Sequence, residues 1–398
     1  MKRSTLLALS AVIAVILAQS AGRPLSAQTA TNVDDHLVVH EWGTFTSIAG
    51  ERGVSVEWRP LAGATDIPTF VYNSAGATSG KALRSGQPCA KCNYEALVRM
   101  ETPVLYFYTD RETSVSVRVD FPNGKITEWY PRARLVGCGN DGSIDWGRFT
   151  VVPSAQPRLP VEERESHYYP ARETDAAPLR VCGVNATEFE KFLFYRGVGN
   201  FDLPVTVRLD GNRLLLNNRG RDEIRNVVVF ENRRGNVGYT MNDLAAGEVS
   251  VQRPELVQNI ASLQQDLEQT LMRQGLYEKE ARAMLKTWRD SWFEEGVRLF
   301  YILPRPLTDA VLPLSIDPQP ADLVRVLMAR TEIITPEVEQ AIALQVAKLT
   351  DPSLEVRQGA LKAIQAYGRF AEPVLQRIRE KTLDQKTRLQ IDKLIKKV

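Results

Sequence analysis

The chain has 398 residues, 25% charged and 43% hydrophobic, with 50 Lys and Arg against 48 Asp and Glu for a net charge of +2. If Lys2, Arg3 and Arg23 leave with an N-terminal signal, 47 basic residues face 48 acidic ones. A near-neutral chain lacks the basic footprint that phosphate-backbone binding requires, so no nucleic acid is expected as a partner.

The N-terminus, "MKRSTLLALSAVIAVILAQSAG", joins Lys2 and Arg3 to an apolar run from Leu6 to Ala18 and then to small residues. This pattern predicts a secretory signal peptide over 1–27 and an exported protein, periplasmic or extracellular. The run is shorter than the roughly 20 residues a membrane span takes, so no transmembrane segment is expected after cleavage. About 370 residues then remain, too many for one ordinary core, which implies a multi-domain chain.

Residues 33–160 read as a β-rich domain. "HLVVHEWGTFTSI" is rich in β-branched and aromatic residues, and Val115, Val117 and Val119 alternate with polar neighbours. The Asn123-Gly124 pair after them predicts a two-residue hairpin turn. Residues 161–190 are charged and proline-punctuated, a linker or excursion. Over 191–253 short strands return, with hairpins predicted around Asp210-Gly211 and Gly235, and the close spacing favours a β-sandwich-like arrangement.

At Pro254 the period changes. Leu256, Ile260, Leu263, Leu267 and Leu271 recur at helical spacing before Gly275, and Tyr277, Ala281, Met284, Trp288 and Trp292 repeat the pattern before Gly296. Residues 254–303 therefore read as an antiparallel helix pair plus a return strand, "VRLFYILP". Residues 304–334 read as a proline-rich connection, and 335–398 as a helical tail. Within the tail, "DPSLEVRQGALKAIQAYGRFAEPVLQRIRE" resembles a HEAT repeat, with Asp351-Pro352 at the turn and Ala360 and Leu361 packing inward. That resemblance covers about the last 50 residues and implies a surface for a protein partner on the C-terminal helices. The fold class expected is α+β and multi-domain, with a sandwich-like N-terminal half and a helical C-terminal half.

Four segments, "HEWGTFTS", "METPVLYFY", "FPNGKITEWYP" and "DSWFEEGVRLFYILP", resemble a family of exported bacterial proteins. The resemblance spans most of the mature chain and implies export. It supplies no activity.

Few residues suggest chemistry. In a strand His36 and His40 are about 13 Å apart, too far to grip one metal ion, so the main expectation for His40 is a hydrogen bond at a sheet edge. The alternative is a divalent-metal hydrolase whose His/carboxylate site joins His40 and Glu41 to Glu294 and Glu295. The last two close a predicted helix, where the dipole disfavours carboxylates and an arginine such as Arg298 would offset them. Four cysteines, Cys89, Cys92, Cys138 and Cys182, favour disulfides in an oxidising compartment. Cys89 and Cys92 flank Lys91 in "CAKC", which admits thiol-disulfide chemistry as a third reading. Neither GxSxG, a phosphate-binding glycine loop, HExxH nor a calcium loop occurs. The reading favoured overall is an exported binding or scaffold protein with no catalytic residue and no cofactor assigned.

Overall fold

The computed structural model describes residues 33–50, 52–61, 66–74, 94–136, 142–183 and 186–395. In chain order the strands of the first half are β1 (Val33–Ala49), β2 (Tyr72–Asn73), β3 (Val98–Tyr108), β4 (Thr113–Asp120), β5 (Gly124–Tyr130), β6 (Arg134–Val136), β7 (Ser143–Val151), β8 (Leu179–Cys182) and β9 (Thr187–Glu190). There follow β10 (Leu193–Gly199), β11 (Val205–Asp210), β12 (Arg213–Asn218), β13 (Ile224–Arg233), β14 (Asn236–Leu244) and β15 (Gly247–Gln252). Helices α1 (Ile260–Arg273) and α2 (Glu278–Trp292) precede β16 (Gly296–Ile302), α3 (Arg305–Val311), β17 (Leu314–Asp317) and β18 (Gln319–Ile333). The chain closes with α4 (Pro336–Lys348), α5 (Leu354–Gln365), α6 (Ala371–Lys381) and α7 (Gln385–Ile395). Strands thus dominate the N-terminal two thirds and helices the C-terminal part, an α+β chain.

A nine-stranded sheet in the order β14-β13-β16-β18-β1-β3-β10-β5-β2 organises the molecule. Its centre is β1, paired in parallel with β18 on one side and antiparallel with β3 on the other. A six-stranded sheet (β17-β4-β7-β8-β9, with β6 on β7) and a three-stranded sheet (β11-β12-β15) complete the β structure. One apolar core joins the large sheet to the two smaller ones through Val39, Phe45, Leu327, Val117, Phe149, Leu214 and Leu216. A second joins the opposite face, with Trp42, Tyr106 and Val326, to Leu263 and Leu267 of α1 and Met284, Trp288 and Trp292 of α2. The period-2 strand and the period-3.6 helix thus each place an apolar face against the other.

The motif-bearing strands meet at one tight crossing. β1 and β3 slip register between Trp42 and Thr44, where Thr102 adopts a left-handed φ of 44°. A Cβ at Gly43 would lie 2.9 Å from Pro103 Cα and 3.0 Å from Leu327 Cδ1. Gly43 is therefore the residue that lets the bulged Thr102-Pro103 backbone approach.

Three stretches differ from the sequence reading. The Asn123-Gly124 turn does not close a hairpin: β4 pairs with β7 and β17, whereas β5 pairs with β10 and β2, so the turn carries the chain between sheets. Phe121 fills the space where a Cβ on Gly124 would sit. Residues 304–334, read as a connection, hold α3, β17 and the 15-residue β18. The excursion 161–190 likewise contains a short 3-10 turn at Tyr169–Arg172 and two strands, β8 and β9.

The hairpins around Gly211 and Gly235 pair as antiparallel strands, with φ of 58° and 82° at the two glycines. Helix α1 starts at Ile260, later than Leu256, because Asn259 Oδ1 accepts the Ser262 N–H as an N-cap. The tail helices bury Ile342, Val346, Ile364, Val374 and Leu375 against Ile48, Trp58 and Ile334.

Candidate functional site

Along β1, Trp42 belongs to the helix-side core and Phe45 to the sheet-side core. Strand alternation therefore sends His40, Thr44 and Thr46 toward the helices and Glu41 and Ser47 toward the smaller sheets. The His40 ring is sealed, 1% exposed, with Nδ1 2.7 Å from Glu280 Oε2. Glu280, at the third position of α2, also accepts the Tyr108 hydroxyl at 2.9 Å and the Tyr277 backbone N–H at 2.7 Å. The Tyr277 and Tyr108 rings lie 4.5 and 5.4 Å from the imidazole. His40 thus locks the start of α2 onto β1 and β3.

Glu41 serves the other face. Its Oε1 accepts the Tyr195 hydroxyl at 2.5 Å and its Oε2 the Arg325 Nε–H at 2.6 Å. Burial first, and then the Glu41 charge, push the Tyr195 hydroxyl well above its ordinary value, so it stays protonated and donates. Arg325 Nη1 continues to Asp309 Oδ1 at 2.8 Å, carrying the network to the surface.

Glu294 and Glu295 stand in the turn after α2. Arg298 caps that helix: its guanidinium donates to the carbonyls of Trp292, Glu294 and Glu295. The Glu294 carboxylate meets Arg330 at 3.1 Å, Arg298 at 3.6 Å and also Arg369.

The four residues considered for a metal are not brought together. Glu332, which shares the Arg298, Arg330 and Arg369 cluster with Glu294, pairs with Ile48. Ile48 is eight residues along β1 from His40, or about 26 Å of strand. Among the described residues no group of three or more His, Cys, Asp or Glu is placed to hold a metal ion. His36 is half-exposed and meets Asp110 at 3.2 Å. Of the cysteines, Cys182 is exposed and unpaired among the described residues, whereas Cys89, Cys92 and Cys138 lie outside them, as do residues 1–27.

Sequence reasoning missed the densest charge cluster. Thr46 of β1 pairs with Arg330 of β18 and Arg99 of β3, a cross-strand row continued along β3 by Glu101 and along β18 by Glu332. Arg298 Nε donates to Glu332 Oε2 at 3.0 Å, and Thr46 Oγ1 to Glu101 Oε2 at 3.1 Å. Burial pushes the Glu101 carboxyl up, but Arg99, Arg330, Arg196 and Arg369 together outweigh it and hold the group below the usual carboxylate range. Burial brings Arg369 down to about 10, with Glu101 resisting and Arg99 assisting. Farther along the same face, Asp66 pairs with Arg196 at 2.7 and 3.2 Å and approaches His167 at 3.6 Å. Burial again works against ionisation of Asp66, and Arg196 overcomes it.

The arginine cluster opens into a cleft of about 1180 Å³ between the β13–β14 hairpin, the turn after α2 and the helical tail, lined by Glu231, Arg233, Arg253, Glu294, Arg369 and Phe370 among others. The mark it leaves in sequence is three charged residues, Arg325, Arg330 and Glu332, set in the otherwise apolar run "VRVLMARTEI".

No helix of the described residues is long and apolar enough to cross a membrane. No family model matches the chain, and no curated protein does. Among solved structures it is similar to the yeast delta-COP-I mu-homology domain, at 7% identity over 75% of this chain and 98% of that one, with a TM-score of 0.28. A likeness of that degree carries no conclusion about fold or activity.

Proposed function

We propose that the chain is an exported binding or scaffold protein of the periplasm or cell envelope, and that its binding face is the cleft between the sheet and the C-terminal helices. The observation that carries this reading is a contrast in access. The His40–Glu280 pair is sealed from solvent, whereas the cleft of about 1180 Å³ is lined by charged side chains of which Glu294 and Glu337 are 39% and 67% exposed. Ligand sites commonly occupy such concave junctions between structural units. The reading takes the paired sheets as a sandwich-like support and α4 to α7 as HEAT-like helices presenting a protein-binding surface, in line with the resemblance of the tail to a HEAT repeat.

The test is capture from a periplasmic extract on the immobilised full chain, followed by hydrogen exchange with the recovered partner. Slowed exchange at 231–236, 294–297 and 366–370 is the expected result. Protection confined to other surfaces overturns the cleft assignment. Export is checked by N-terminal sequencing: a mature start near residue 28 outside the cytoplasm is expected, and an intact Met1 retained in the cytoplasm rejects it.

A further inference from the structure

Behind Glu294 and Arg369, which line this cleft, lies an arginine cage whose present occupant belongs to the chain itself. Arg298, Arg330 and Arg369 surround the Glu294 carboxylate, with Arg330 at 3.1 Å and Arg298 at 3.6 Å. The cage comes from three separate places: β16, β18 and the Gly368–Phe370 turn before α6. With Glu332, which the cage also holds, and the adjoining Arg99–Glu101 pair, four guanidiniums (Arg99, Arg298, Arg330, Arg369) face three acids (Glu101, Glu294, Glu332). One positive charge is left over with Glu294 in place, and two without it. Arg369 Nε is buried without a hydrogen-bond partner among the described residues. Such a surplus at a fixed fork of N–H donors is a receptor for a planar anion.

Glu294 is also able to leave. Its side chain is 39% exposed, and it stands in the short turn between α2 and β16, before Gly296 with φ of 133°. The carbonyl of the same residue stays capped by Arg298, so rotation of the side chain leaves the helix end intact.

We infer that the Arg298–Arg330–Arg369 cage is a carboxylate-binding site, held by Glu294 in the free protein and taken over by a carboxylate of a ligand lying in the cleft. Resting on the cleft as the binding face, this names the chemistry the cleft selects. A carboxylate is favoured over a phosphate because Glu332 already meets part of the cage's charge and Arg298 is committed to three carbonyls, which leaves Arg330 and Arg369 to receive one planar anion. An intramolecular carboxylate competes at high effective concentration, so the wild-type chain binds free carboxylates weakly.

The experiment titrates the full chain with glutarate, and separately with inorganic phosphate, by calorimetry at ionic strength matched with chloride. Glu294→Ala is expected to bind glutarate at least tenfold more tightly than wild type, and Glu294→Ala combined with Arg369→Gln to lose that gain. Glu294→Gln keeps the side-chain volume and serves if the alanine variant unfolds; a smaller gain of the same sign is expected. No gain in either single variant, or an equal gain in the double variant, overturns the site. Tighter binding of phosphate than of glutarate by Glu294→Ala overturns the carboxylate assignment. A partner that protects the cleft yet binds the double variant as well as wild type leaves the cleft as the binding face and removes the cage from it. Failure of any partner to protect the cleft removes the former reading while the glutarate gain is still measured.

Discussion

At the scale of single residues, the quoted motif "HEWGTFTS" resolves into packing and pairing roles. His40 supplies a buried partner for Glu280, and its removal leaves that carboxylate with one fewer hydrogen bond in a site sealed from bulk solvent. His40→Ala is expected to cost about 1–3 kcal/mol in urea unfolding, with unchanged metal content as the accompanying measurement. Gly43→Ala drives a methyl into Pro103 backbone at 2.9 Å, so a loss of about 1–3 kcal/mol or more is expected from the same measurement. Asp66 and Glu101 both titrate below their ordinary range in the folded chain. Their stabilisation is complete above the unfolded-state value of about 4 and is lost as pH falls below it. Stability measured between pH 6 and pH 3 should therefore decline through the acid side, and Asp66→Asn should flatten part of the decline. A sheet edge was expected for His40, whereas β1, which also carries His36, lies at the centre of the large sheet because β18 pairs on its other side. That His40 needs a hydrogen-bond partner was foreseeable. Which group supplies it was not, because Glu280 lies 240 residues away and reads in sequence as an ordinary first-turn acid.

Among elements, legibility followed periodicity. The β11–β12 and β13–β14 hairpins, α1, α2 and β16 each carry a local signal, alternation or a 3.6 repeat closed by a glycine, and local signals need no knowledge of the partner. β18 carries none of that kind. It is a central strand buried on both faces, which removes alternation, and Arg325, Arg330 and Glu332 interrupt its apolar run while Pro313, Pro318 and Pro320 crowd its start. The arginine cluster was hidden for the same reason, since its members acquire meaning only once β18 lies beside β1. The clearest prediction at this scale concerns Arg298, which caps three carbonyls of the α2 terminus and pairs with the fully buried Glu332. Arg298→Met removes both functions and leaves Glu332 undercompensated, with an expected loss of about 3–5 kcal/mol in urea unfolding.

For the whole molecule, the interior of the proline-rich stretch 304–334 is not a place where the chain can be cut, because it holds β17 and β18. Ending the chain after Pro320 deletes most of β18 and leaves β1 without its parallel neighbour, so loss of cooperative thermal unfolding is expected. Ending it after Ile334 keeps the nine-stranded sheet and uncovers Ile48, Trp58 and Ile334. That shorter chain should still unfold cooperatively, at a lower melting temperature and with lower soluble yield. Partner mapping on the tail is therefore best done with substitutions or with the later cut.

The pairing of the first strand with nearly the last has a temporal side. Glu41 and Arg325 meet at a sequence separation of 284, so β1 is synthesised long before its parallel neighbour exists. At roughly 5–20 residues per second, synthesis of that span takes tens of seconds, so the early strands wait for their partner rather than the partner for them. Until β18 arrives, one edge of β1 lacks its parallel partner and the apolar side chains that β18 covers stay open to other contacts.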